Sequence, residues 1–363
     1  MLSSEENKRY NRHLMMPEIG IVGQERLKAA KVLVIGAGGL GCPVLQYLAA
    51  AGVGTLGVVD FDVVDESNLQ RQIFYSTDQI GKSKVLCAAE AVNRINPLIL
   101  VEKHELQVTV QNAWPLVESY DIVVDGTDNF KTRYMINDLC YLLKKPLVFG
   151  AIHRFQGQVS VFHLTEDSPT YRTIFPIPPL EGTTANCSEI GVLSVLPGII
   201  GSIQAAEVIK IITRIGEPLD GRILHYDALD QSFFAIEISG GRDQTSKIQP
   251  SENEFFSHDY SLNCTLEPTP FVKIILSEEL EQNHHKYRII DIREPCEEPK
   301  LVGFLVEYWP LSLLETQPLE LDGRQTVIFC QRGLRSKAFV SKWLENDPSA
   351  EIFSLLGGVE ALA

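Results

Sequence analysis

No two cysteines of this chain stand at C-x-x-C spacing, lysine and arginine form no cluster, and no stretch of about 18 or more uncharged apolar residues occurs. Each absence excludes something. The seven cysteines, Cys42, Cys87, Cys140, Cys187, Cys264, Cys296 and Cys330, are odd in number and scattered, so they write neither a disulfide framework nor a thiolate zinc site. Reduced thiols, mostly buried and one or two of them functional, are expected. With 32 Lys and Arg against 47 Asp and Glu, a net charge of −15 offers no basic face to a nucleic-acid backbone. The N-terminus, Met1-Leu-Ser-Ser-Glu-Glu6, lacks a basic-then-apolar signal pattern. A cytoplasmic protein that binds neither nucleic acid nor membrane is expected.

What is present is enough apolar residue for two or three cored domains, 45% of 363. The first part alternates apolar runs with helical patterns, as in a mostly parallel α/β sheet. Strands are expected at Lys31 to Ile35, Thr55 to Asp60, Leu98 to Glu102, Asp121 to Asp125, Pro146 to Phe149 and Gly157 to Phe162, with helices between the first five. Composition shifts to Gly, Ser, Asn, Gln, Thr and Pro around 240–270. The expected organisation is a large α/β domain over 1–240, a linker over 241–270 and a small α/β domain over 271–363.

Two loops carry the chemistry. Val32-Leu-Val-Ile-Gly36-Ala-Gly38-Gly39-Leu-Gly41 places Gly36, Gly38 and Gly41 at G-x-G-x-x-G spacing between a strand and a helix. Such a turn brings backbone and helix N-terminus close to a phosphate-bearing ligand. Asp60, at the end of the second strand, can accept hydrogen bonds from ribose hydroxyls. Alone, this pattern also fits NAD or FAD. The residues beyond it, Asp62, Ser67-Asn68-Leu-Gln-Arg71-Gln72, Lys84 and Asp125-Gly-Thr-Asp128-Asn129, add two cations and a carboxylate at strand ends of one sheet. A nucleoside triphosphate with its metal needs that set; a nicotinamide does not.

The second loop is Cys330-Gln-Arg-Gly-Leu-Arg-Ser336, after the apolar run Thr326-Val-Ile-Phe329 and before the amphipathic stretch Lys337 to Leu344. Converging backbone N–H groups, the helix dipole, Arg332 and Arg335 are expected to favour a thiolate at Cys330. Cysteine phosphatases use Cys-x5-Arg; here the arginine comes one position earlier, which suits a smaller anionic group such as a terminal sulfur.

The set Arg9-Tyr-Asn-Arg12, Gly36 to Gly41, Asp60-Phe-Asp62, Asn68-Leu-Gln-Arg71, Lys84 and Thr127-Asp-Asn129 resembles the MoeB/ThiF family, relatives of ubiquitin-activating enzymes, over about residues 8–238. The stretch from Phe271 resembles a rhodanese domain, through Ile289-Ile-Asp-Ile-Arg293-Glu-Pro295, the Cys330 loop and Leu356-Gly-Gly-Val359, although Val302 to Pro310 departs from that family's pattern. The resemblance implies a Rossmann-like adenylation domain followed by a sulfurtransferase domain whose Cys330 carries a persulfide. It further implies ATP and Mg²⁺, with Gly36, Gly38, Gly39, Gly41, Asp60, Asp62 and Asn129 around the nucleotide. Asn68, Arg71 and Lys84 would hold the phosphates, Asp128 would act through Mg²⁺, and Arg12 would reach the triphosphate of the partner subunit in a homodimer. The implied substrate is a small ubiquitin-like sulfur-carrier protein ending in Gly-Gly, of molybdopterin, thiamine or tRNA-thiolation pathways, with a sulfur donor such as a cysteine desulfurase.

In the family a cysteine at the position of Cys187 lies in a crossover loop and handles sulfur in some members; an incidental loop thiol remains the other reading. Many members bind zinc through two C-x-x-C pairs. Here the first would fall at Thr170-Tyr-Arg-Thr173 and the second near Arg242-Asp-Gln-Thr-Ser-Lys247, so no zinc is expected. A nucleotide-binding scaffold or redox sensor, and a nicotinamide-dependent oxidoreductase, remain as rival readings.

Overall fold

The structure, a computed structural model, describes residues 1–176, 178, 191–238, 250–260, 272–295, 297–301, 303–314, 317 and 319–362. They fall into two compact units, one ending near residue 260 and the other beginning at residue 272.

In the first unit the strands are β1 (Lys31–Ile35), β2 (Thr55–Asp60), β3 (Leu100–Glu105), β4 (Ile122–Asp125), β5 (Leu147–His153), β6 (Gln156–Phe162), β7 (Arg222–Asp227) and β8 (Ser232–Glu237). They form one sheet in the order β3-β2-β1-β4-β5-β6-β7-β8. Pairing is parallel as far as β5 and antiparallel from there on. Apolar residues cover both faces of the parallel part, as the continuous run of β1 requires. Val32 and Val34 face a core shared with the helices Gly41–Ala51, Lys84–Ile95 and Leu196–Thr213; Leu33 and Ile35 face one shared with Val110–Glu118 and Phe130–Leu143.

Four strands depart most from the sequence expectation. β3 starts two residues later, β5 runs on to His153, and β7 and β8 were not anticipated. The cause of the second is a two-residue hairpin: His153 pairs with Gln156 across Arg154, whose φ is +51°. The stretch expected as a linker is in part a docked element. Ser251 caps a helix over Glu252–Ser257 in a reciprocal bond with Glu254, and Phe255 is fully buried against Trp114. Tyr260 donates to Asp138 Oδ2 at 2.8 Å, beside the two bonds that Arg172 makes to the same carboxylate. Two aromatic anchors override a polar composition. The rest of that stretch, 241–249 and 261–270, lies outside the described residues.

The helix Leu196–Thr213 is long and apolar enough to cross a membrane by composition, yet Leu196, Ile200, Ala205 and Val208 are all in the core of this unit. Gly201 passes so close to Pro43 that a Cβ would lie 2.4 Å from its ring.

The second unit is a parallel sheet of β9 (Ile274–Ile275), β10 (Arg288–Asp291), β11 (Val306–Tyr308), β12 (Thr326–Phe329) and β13 (Ile352–Leu355), in the order β11-β10-β12-β13-β9. The strand, loop and helix expected around Cys330 are there: β12, then the helix Leu334–Asn346.

Two measurements check this packing. Phe255→Ala should cost the first unit about 3 kcal/mol in denaturant unfolding, the scale of a large buried side chain left as a cavity. His163, buried with Nε2 3.1 Å from Asn137 Oδ1, is pushed by that burial from 6.5 down to about 3. The unfolded chain therefore binds the extra proton between those values, and this group's contribution to stability should be lost as pH drops through that window, by at most about 1.4 kcal/mol per unit. Unfolding curves of His163→Gln should show a correspondingly shallower pH dependence.

Candidate functional site

Because β1 lies between β2 and β4, the connections leaving β1 and β4 diverge and open a crevice at their carboxyl ends. Gly36 follows β1 with φ +96°, and a Cβ there would lie 2.6 Å from Gly126 O, beyond β4. The Gly126 N–H donates to Ile35 O at 2.8 Å. A Cβ on Gly41 would lie 1.9 Å from Gly36 O, so packing alone demands glycine at both positions. Gly39 lies under Pro197, at 3.1 Å from a notional Cβ. Gly38 differs: its Cβ would meet only Gln72 Nε2, at 3.8 Å, leaving room for a ligand beside the N-terminus of the helix Gly41–Ala51.

Asp60, at the end of β2, ties this loop down. Its Oδ2 accepts from Ala37 N–H at 2.8 Å and its Oδ1 from Asp62 N–H at 2.9 Å. Burial raises its carboxyl above the usual range, opposed by those bonds and by Lys84. Tyr75, missed in the sequence, donates its hydroxyl to Ala37 O at 2.7 Å, and Cys42 Sγ approaches the same oxygen at 3.5 Å. Burial pushes the Cys42 thiol up to about 12, which makes it a packing residue.

Lys84, first in the helix Lys84–Ile95, is buried and paired with the exposed Asp62 at 2.9 Å. Arg71 donates to Ser67 O at 3.0 Å, within the turn that also holds Asn68. Beside it Gln72 is 4% exposed, and its Oε1 has no partner among the described residues.

Across the crevice the β4 loop is organised by a buried ion pair. Arg133 Nε donates to Asp125 Oδ2 at 3.0 Å and its Nη2 to Thr127 O at 2.9 Å and Gly150 O at 3.3 Å, while Thr127 N–H and Oγ1–H bind Asp125 Oδ1. Gln204, a polar residue in an apolar helix, donates to Asp125 O at 2.9 Å. The loop so held presents Asp128, exposed and unpaired among the described residues, and Asn129, which caps the helix Phe130–Leu143 by accepting from Thr132 N–H at 2.9 Å. No group of three His, Cys, Asp or Glu able to hold a metal occurs among the described residues. A cation at Asp128 must therefore bring most of its ligands along, which fits one carried on phosphate oxygens.

Arg12 makes no hydrogen bond or ion pair with these residues. It is exposed on the short helix Asn11–Leu14, with no hydrogen bond or ion pair among the described residues. The neighbouring His13 meets Gln24 at 3.0 Å in the helix Gly20–Ala29, where Arg26 in turn donates to Thr213 O at 2.8 Å.

In the second unit Cys330 directly follows β12 and is 1% exposed. Ser336 N–H points to its sulfur at 3.5 Å, and Gly333, at φ +85°, starts the helix Leu334–Asn346. One expectation is corrected: Arg335 does not offer a free cation to the sulfur. It is buried in a two-bond pair with Glu297, at 2.8 and 2.6 Å. Burial alone would raise the Glu297 carboxyl; the Arg335 bonds hold it below the usual range instead. Arg332 is exposed and unpaired among the described residues. Arg293, fully buried, binds Asp291 and reaches Gln331 Oε1 at 2.9 Å, fixing the loop from the side.

Cys187 and the Arg242 to Lys247 stretch lie outside the described residues. Thr170 and Thr173 are occupied by each other: each backbone N–H bonds the other's hydroxyl, at 3.1 and 3.2 Å, around the short helix Tyr171–Ile174. Arg133, Gln204 and Glu297 were not singled out in the sequence. The signals available were weak ones: polar residues at buried helical positions, and an acidic run after Arg293.

The ThiF family signature matches residues 10–247. A probable adenylyltransferase/sulfurtransferase, MoeZ of Mycobacterium tuberculosis, is 42% identical over 379 residues, spanning 100% of this chain and 94% of its own. The sulfur carrier protein adenylyltransferase of Thermus thermophilus is 48% identical over 269 residues, spanning 73% of this chain and 98% of its own. Among solved structures, Escherichia coli MccB with ATP shares the fold, with a TM-score of 0.58 at 22% identity over 65% of this chain and 72% of MccB. With the glycine loop, Asp60 and the Asp128 loop all inside the matched span, the chain belongs to the ThiF family.

Proposed function

We propose that the chain activates a small ubiquitin-like sulfur-carrier protein. It transfers AMP from ATP to the carrier's C-terminal glycine carboxylate, then supplies sulfur from a persulfide on Cys330 to leave a thiocarboxylate. The observation that carries this reading is the switch-point crevice, where the open face of Gly38, the Asp60 carboxylate and the unpaired Asp128 come from three strand ends of one sheet.

A carboxylate is a poor electrophile, and adenylation makes it a mixed anhydride while pyrophosphate leaves. Catalysis then consists of placing two anions against each other and neutralising their charge. In this reading Asp60 takes the ribose hydroxyls with the lone pairs that Ala37 and Asp62 leave open. Lys84, already aimed by Asp62, and Arg71 take phosphate oxygens, with Asn68 and Asn129 at the edges. Asp128 would hold a Mg²⁺ ion carried on the triphosphate, which would supply further charge neutralisation. Arg12 serves the triphosphate bound by a second copy of the chain in a homodimer. The terminal sulfur of the Cys330 persulfide, loaded by a donor such as a cysteine desulfurase, next attacks the acyl carbon and AMP leaves. A thiol then attacks the Cys330 sulfur of the acyl disulfide, so that the thiocarboxylate leaves and a disulfide to Cys330 forms, which an external thiol reductant must reduce before the next turn; Cys187 is the chain's candidate for that attacking thiol. The covalent tether between the two units keeps donor and acceptor at high effective concentration.

Pyrophosphate exchange into ATP should appear with a carrier ending in Gly-Gly, vanish with Asp128→Ala or a carrier lacking its last glycine, and persist in Cys330→Ser, which should fail only in thiocarboxylate formation. No exchange with any carrier would leave a nucleotide-binding scaffold. Mixing Arg12→Ala with Asp128→Ala protein should restore exchange that neither shows alone, since a mixed dimer rebuilds one complete site; no recovery would remove Arg12 from the partner's site.

A further inference from the structure

The charges around the Cys330 loop cancel in pairs. Asp291 and Arg293 are 2% and 1% exposed and bonded to each other. Glu297 takes both terminal nitrogens of Arg335 and also accepts from Glu294 N–H at 2.8 Å, so its carboxylate is fixed from two sides. Glu360 reaches Gln331 Nε2 at 3.1 Å, while Arg332 extends into solvent. Arg335, the buried cation of the loop's own helix turn, is therefore neutralised inside the protein, while Arg332 and Lys337 are exposed. The Ser336 N–H and hydroxyl face the sulfur at 3.5 and 3.7 Å, enough for one negative sulfur, but no unpaired buried cation stands beside it among the described residues to take a small divalent anion.

We infer that Glu297 sets the class of sulfur donor: by holding Arg335 it makes the Cys330 loop accept sulfane sulfur from persulfides and disfavour thiosulfate. The inference rests on Cys330 acting as the sulfur carrier. With a persulfide donor, the Cys330 thiolate attacks the donor's outer sulfur; a new S–S bond forms at Cys330, the donor's S–S bond breaks, and its electron pair leaves with the donor thiolate. With thiosulfate the same attack expels sulfite, so a divalent anion must first sit against the thiolate. Neither route involves an external oxidant or reductant.

The test uses the full chain, loaded with cysteine persulfide or with thiosulfate, and follows by mass the sulfur gained at Cys330 and its initial rate. Wild-type protein should load efficiently from the persulfide and poorly from thiosulfate. Glu297→Gln should raise the thiosulfate-to-persulfide ratio of kcat/KM by about tenfold or more, mainly through the thiosulfate KM, as one freed cation would against a dianion in a poorly hydrated loop. The double variant Glu297→Gln with Arg335→Gln should return the ratio to the wild-type value, and persulfide loading itself reports that each variant is folded. Wild-type protein loading equally well from both donors overturns the inference, as does an unchanged ratio in Glu297→Gln. Loading of wild-type protein from neither donor overturns the sulfur-carrier role of Cys330 and this inference with it.

Discussion

The nucleotide crevice depends on one close approach, that of Gly36 and Gly126 at the ends of neighbouring parallel strands. Their backbones touch where any Cβ would collide, and a third glycine, Gly41, seats the helix against the same carbonyl. Once these strand ends are in contact, the Ala37 N–H is aimed at Asp60, and the loop carrying Asp128 opens on the opposite wall. The remaining side chains adjust a geometry that backbone contact has already set. For this reason the glycine spacing is informative by itself: Gly36 and Gly41 serve packing, and only Gly38 faces open space.

Elements with a local cause were legible in the sequence. The strand, loop and helix around Cys330 follow from a four-residue apolar run, a glycine that adopts φ +85° and an amphipathic stretch. The Asp60 contact follows from the length of one βα unit. What could not be read depends on partners distant in the chain. Arg133 is an ordinary helical arginine until Asp125 and Gly150 are brought to it, and Arg335 looks like a cation for the sulfur until Glu297, 38 residues earlier, closes on it. The docked segment around Phe255 was hidden differently, since a polar composition says nothing about two well-placed aromatic rings.

A common rule governs charge in both units. Each buried cation, Lys84, Arg133, Arg172, Arg288, Arg293 and Arg335, has a carboxylate within 3.0 Å. Burial without a partner would cost several kcal/mol per ion. Charges without a partner lie at the margins instead: Asp128, Arg12 and Arg332 are exposed and have no partner among the described residues. The buried thiols obey the same constraint, for burial pushes up both Cys42 and Cys140 and leaves them as filler.

The helix Leu196–Thr213 begins with Pro197 over Gly39 and ends with Thr213 O in the grip of Arg26. At 18 residues it is a strut of about 27 Å, one end on the glycine loop and the other on the helix that braces the segment carrying Arg12. A rigid rod cannot yield at one end alone. The glycine loop and the helix Gly20–Ala29 are therefore held to opposite ends of one element, and the spacing between them is fixed by the length of that rod.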